Sequence, residues 1–84
     1  MKNEKDLGTF KLERHGKKIY VRDGVVTKVF DHKQYSFSDV LREARNQEYA
    51  LEAGFPVPKV LAVYPIGEDW AVESQFSYDK NYCI

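Results

Sequence analysis

Asp23-Gly24 separates two runs rich in β-branched and aromatic residues, "KKIYVR" and "VVTKVFD". A pair so placed is the strongest short hairpin signal, because the two-residue type I′ turn needs positive φ at both central positions. With these two residues as the loop, Arg22 faces Val25, Val21 faces Val26, Tyr20 faces Thr27 and Ile19 faces Lys28. Side chains alternate across a sheet, so Ile19, Val21, Val26, Lys28 and Phe30 share one face. A lysine thereby stands on a face that is otherwise apolar.

The remaining elements follow from local signals. "TFKL" precedes "ERHG", whose glycine suits a turn into "KKIYVR" and makes a first hairpin. In "YSFSDVLREARNQEYALEAGF" the period changes: Phe37, Val40, Leu41, Ala44 and Leu51 recur at steps of three and four, as in an amphipathic helix. Ser36 is a good N-cap, Asp39 at N3 completes a capping box, and Tyr35 can pack on Val40 as a hydrophobic staple. Gly54 marks the helix end, and Pro56 forbids continuation. "KVLAVY" and "WAVESQ" read as two further strands joined through "PIGED". The order is βββαββ, and the fold class is α+β. Short connections everywhere except through the helix favour a five-stranded antiparallel sheet with one helix, between strands 3 and 4, packed on it.

Bulk properties narrow the function classes. The 84 residues make one small domain, and 43% hydrophobic content is too high for a disordered chain. Thirteen basic residues balance thirteen acidic ones, so no global field gathers nucleic acid, and any anion site must be local. One cysteine, Cys83, cannot form an internal disulfide, and no apolar run reaches the roughly 18 to 20 residues of a membrane span. A cytoplasmic protein without membrane or nucleic-acid partners is expected. His15, His32 and Cys83 lack metal-ligand spacing and read as surface residues, so no metal site is expected from this chain.

Lys28 needs an explanation, since a charged, unpaired lysine costs several kcal/mol to desolvate. Either it lies near the sheet margin and snorkels to water, or it meets a carboxylate or an anionic ligand. The helix offers Glu43 at the flank of its apolar stripe and Glu48 nearer the middle. Periodicity alone slightly prefers Glu48.

Three strands with a lysine in the third, "VTKVF", then a helix with "REARNQ", then "LEAGFPVPKVLAVY", resemble the N-terminal lobe of the aminoglycoside phosphotransferase and choline kinase-like family, which has a protein-kinase-like fold. The likeness covers about residues 7 to 76, after a polar leader, 1–6, and before a tail, 77–84. "GFPVPKVL" is its most distinctive piece. The resemblance implies that Lys28 contacts the phosphates of ATP and that a helix glutamate holds it. Glu43 matches that glutamate because it begins the "EAR" run ahead of Gly54. The resemblance also implies that Ile19, Val21 and Val26 cover the adenine, and that backbone groups of about Glu73 to Gln75 meet the base edge.

Two departures qualify the likeness. Where the family places a loop over the phosphates, this chain has "ERHGKK". Backbone amides of Gly16 and Lys17 could approach phosphate, but a plain hairpin turn is the safer reading. The family's catalytic base and magnesium ligands belong to a C-terminal lobe, and the chain stops where that lobe begins. The expectation is therefore a truncated lobe that binds ATP with magnesium ligands absent, is not catalytic alone, and pairs with a missing lobe or a self-associating copy. The alternative is a non-enzymatic protein-binding module that keeps the fold.

Overall fold

A computed structural model describes residues 4–75. A short 3-10 helix, Glu4–Leu7, leads into β1 (Thr9–Arg14), β2 (Lys17–Arg22) and β3 (Val25–Phe30). The helix α1 (Phe37–Glu52) follows, then β4 (Lys59–Ile66) and β5 (Asp69–Gln75). The protein is α+β, with a five-stranded antiparallel sheet and one helix between β3 and β4. The tail expected over 77–84, with Cys83, lies outside the described residues.

The turn chemistry sets the register. Asp23 and Gly24 both take positive φ, 52° and 80°, and Arg22 pairs with Val25, Val21 with Val26, Tyr20 with Thr27 and Ile19 with Lys28. His15 and Gly16 make the first turn in the same way, with φ of 54° and 76°, and join Arg14 to Lys17. A two-residue turn of this kind keeps the right-handed twist of both strands.

Strand order is β1-β2-β3-β5-β4, so the last strand inserts between β3 and β4 and leaves β1 and β4 at the edges. The most buried positions of the sheet lie on the inner strands β3 and β5, at Thr27, Val29, Phe30, Ala71, Val72 and Ser74. One face carries Leu7, Tyr20, Val29, Ile66 and Ala71, with Tyr64 packed against them. The other carries Phe30 and Val72 beneath Val40 and Ala44 of the helix, with Tyr35, Val60, Val63 and Trp70 around them. Leu7, 4% exposed, thus ties the residues after the leader to the face away from the helix.

Helix α1 begins as its sequence requires. The Ser36 hydroxyl accepts from the Asp39 N–H, and the Asp39 carboxylate accepts from the Ser36 N–H, completing the capping box. At the other end the Gly54 N–H donates to the Leu51 carbonyl and the Phe55 N–H to the Ala50 carbonyl, the paired bonds of a Schellman motif. The helix packs on β4 and β5. Its buried stripe is narrower than the periodicity suggests: Val40 and Ala44 are buried, whereas Phe37 and Leu41 remain 41% and 39% exposed. Phe37 instead stacks at a tilt on Trp70, with ring centroids 4.8 Å apart.

Candidate functional site

Because α1 sits over β4, β5 and the Phe30 end of β3, no helix among the described residues covers the rest of that face on β1, β2 and β3. Ile19, Val21 and Val26 lie there half-buried and belong to neither core cluster of the described residues. Lys28 lies on this face at the margin of the helix. Its Nζ is 3.4 Å from Glu43 Oε1, and Lys17 Nζ is 3.2 Å from the same oxygen. Glu43, not Glu48, is the carboxylate at Lys28; Glu48 is exposed.

All three charged side chains are partly buried, with 26% of Lys28, 29% of Lys17 and 35% of Glu43 exposed. The two ammonium groups rest on an aromatic floor. Lys17 Nζ lies 5.4 Å from the Phe30 ring centroid and 5.6 Å from that of Tyr35, and Lys28 Nζ lies 6.0 Å from that of Phe30. At these distances the negative ring faces attract a cation. Phe30 and Tyr35 meet edge to face at 5.2 Å, and the Tyr35 hydroxyl donates to the His15 carbonyl at 2.8 Å, which fixes the ring beneath Lys17.

Gly16 precedes Lys17 and lies against the Gln34 side chain. Its carbonyl accepts from the Asp31 N–H at 2.8 Å, and it lines a separate groove with Asp31, His32 and Asp69. The first turn is a plain hairpin turn. Glu73 to Gln75, expected at the base edge, are the last residues of β5. These residues pair with β3 on one side, and Gln75, Ser74 and Glu73 pair with Lys59, Val60 and Ala62 of β4 on the other, so β5 offers no open edge there. The Glu73 side chain accepts from the Tyr64 hydroxyl at 2.7 Å.

His32 is more than a bland surface residue. Asp69 Oδ1 accepts from the His32 backbone N–H at 3.0 Å and lies 2.8 Å from its Nδ1. The bond to Asp69 raises the His32 pKa above its ordinary value. Burial pushes the Asp69 carboxyl up, but the bonds from the His32 N–H and ring outweigh it and hold the carboxyl below its ordinary value. Asp31, His32 and Asp69 each bring one ligand-capable atom within 4.8 Å of the others. Spacing along the chain could not reveal this, since Asp69 is 37 residues from His32. The signal was positional: His32 follows the end of β3, Asp69 opens β5, and those strands are neighbours.

No family model, curated protein or solved structure matches the chain. Among the described residues no helix is long and apolar enough to cross a membrane.

Proposed function

We propose that the chain is the ATP-binding lobe of a small-molecule phosphotransferase resembling the aminoglycoside phosphotransferase and choline kinase-like family. Lys28 meets the phosphates, Glu43 orients it, and Ile19, Val21 and Val26 cover the base. The observation that supports this reading is the Lys28–Glu43 pair, 3.4 Å apart, at the border of an apolar sheet face that the helix leaves bare. An aromatic base buried against such a face gains from removing apolar area, while its phosphates reach the one region of that face that bears ammonium groups.

The residues around Glu43 do not suit a magnesium ion. Glu43 is engaged by two lysines, and Asp39 is committed to the helix cap and to Arg42.

The test is titration of the labelled protein with ATP, in parallel with an ATPase assay. Shift changes centred on Ile19, Val26 and Lys28 are expected. Their absence at millimolar ATP removes the nucleotide reading and favours the alternative of a protein-binding module. Phe10 and Leu12 on edge strand β1, 50% and 51% exposed, are what such a module would present.

A further inference from the structure

The region beside Glu43 holds more positive charge than Lys28 supplies. Lys17 and Lys28 share one carboxylate oxygen, so two partly buried ammonium groups are balanced by a single negative charge. The other acid nearby, Asp39, pairs with Arg42 at 3.5 Å and is taken up by the cap. Among the described residues one cationic charge is left over at a site where an uncompensated charge is costly. An anion that docks there removes that cost.

We infer that Lys17 is a second phosphate-binding ammonium, so that Lys17 and Lys28 together grip adjoining phosphoryl groups of a polyphosphate ligand. This extends the nucleotide reading to the Lys17 side chain, where the resemblance offered only the backbone amide, and rests on that reading for the base but not for the phosphates. The register puts both lysines on one face. Lys17 pairs with Phe30 and Ile19 pairs with Lys28, which makes the two lysines diagonal neighbours on adjacent antiparallel strands. Diagonal neighbours stand about 7–8 Å apart at the backbone, close enough for long side chains to converge. Their tips do converge, on Glu43 Oε1.

The contacts to Glu43, at 3.2 and 3.4 Å, exceed the about 2.7–2.9 Å of a tight charge-assisted bond. Each ammonium carries three donors, so a phosphate oxygen can be added without displacing the carboxylate. The aromatic floor of Phe30 and Tyr35 holds Lys17 in place before a ligand arrives. Beside it opens a groove of about 490 Å³, lined by Lys17, Gln34, Tyr35, Arg42 and Asn46 around Glu43, with Asp39, held by the helix cap and Arg42, also on its wall. Gln34 and Asn46 add amide donors and Arg42 guanidinium donors suited to phosphate oxygens, while the Tyr35 hydroxyl stays on the His15 carbonyl.

The experiment is calorimetric titration of the whole chain with sodium pyrophosphate, ATP and adenosine, for the parent, Lys17→Met, Lys17→Arg and Lys28→Met. Lys17→Met is expected to weaken pyrophosphate and ATP by about tenfold or more and to leave adenosine unchanged, with Lys17→Arg retaining most of the affinity. If Lys17→Met binds pyrophosphate and ATP like the parent while Lys28→Met does not, the role of Lys17 falls and the nucleotide reading stands. If pyrophosphate binds and responds to Lys17 while adenosine does not bind and ATP binds no better than pyrophosphate, the anion grip stands and the nucleotide reading falls. If none of the three binds the parent, both fall. Should Lys17→Met fail to fold, side-chain resonances of the parent decide: pyrophosphate must move those of both Lys17 and Lys28, and movement of Lys28 alone overturns the inference.

Discussion

The Lys28 ammonium stands 3.4 Å from Glu43 Oε1, an oxygen already 3.2 Å from Lys17, so one helix carboxylate serves two strands. Removing the carboxylate should therefore matter more than removing either lysine. Glu43→Gln leaves two partly buried ammonium groups side by side, while Lys28→Met leaves a complete Lys17–Glu43 pair. With each side chain about a third exposed or less, Glu43→Gln is expected to cost about 1 kcal/mol, and Lys28→Met less than that. Urea unfolding of both variants checks the order. A Glu43→Gln protein at least as stable as the parent would show that the carboxylate does not offset the two charges.

The helix start predicts an acid-sensitive contribution. Ser36→Ala removes the hydroxyl that accepts from the Asp39 N–H and should cost about 1 kcal/mol in thermal or urea unfolding. The Asp39 carboxyl is held below its ordinary 3.8 first by the Ser36 backbone N–H and then by the Ser36 side chain. A carboxyl depressed in the folded state contributes stability above its unfolded value and loses it as pH falls through the folded one. Asp39→Asn should thus lower stability at pH 6 and matter progressively less below 3.8. A deficit unchanged down to pH 2 would place the effect elsewhere than in the charge.

His32 and Asp69 predict a pH window. The raised His32 pKa gives stability that is full below the ordinary 6.5 and is lost as pH rises through the folded value. The lowered Asp69 pKa gives stability that is full above the ordinary 3.8 and is lost as pH falls through the folded value. Both hold together between 3.8 and 6.5, so the difference in melting temperature between the parent and Asp69→Asn should peak there. Proton resonances of His32 in the two proteins give a second reading, with the pKa in Asp69→Asn falling back toward 6.5. A melting difference that is flat from pH 3 to pH 9 would mean that the ring and the carboxylate do not interact in solution.

What could be read in advance was what local chemistry decides. Asp23-Gly24 sets the β2–β3 register because turn geometry is a property of four residues, and the Ser36–Asp39 box sets the helix start for the same reason. What could not be read depends on where distant elements dock. Glu43 and Glu48 both fit near an apolar stripe. The choice between them was made by α1 settling on β4 and β5, which turns Glu43 toward β3 and leaves Glu48 in the open. The same docking leaves Phe37 and Leu41 half-exposed. Insertion of β5 between β3 and β4 is a long-range pairing with no local signature. Lys17 is inconspicuous as a side chain because it opens a strand beside another lysine. The parity that placed Lys28 with Ile19 also placed Lys17 there, and counting one step further would have found it.

The segment "GFPVPKVL" carries the last prediction. Two prolines remove backbone donors between α1 and β4, so carbonyls there must find partners elsewhere. Gln47 supplies one: its Nε2 donates to the Pro58 carbonyl at 2.7 Å and to the Ser74 hydroxyl at 3.1 Å, and Ser74 is only 3% exposed. This explains a polar residue on the helix flank that faces the sheet. Gln47→Leu keeps the bulk and removes both bonds, which should cost about 1–3 kcal/mol because the acceptors lose a partner in a place with little water. Combining it with Ser74→Ala should recover part of that loss, since the buried hydroxyl is then gone as well. Urea unfolding of the two single variants and the double variant closes the cycle. Strict additivity would mean that Gln47 and Ser74 do not act on each other, and the link from α1 to β5 would then rest on apolar packing of Val40 and Ala44 alone.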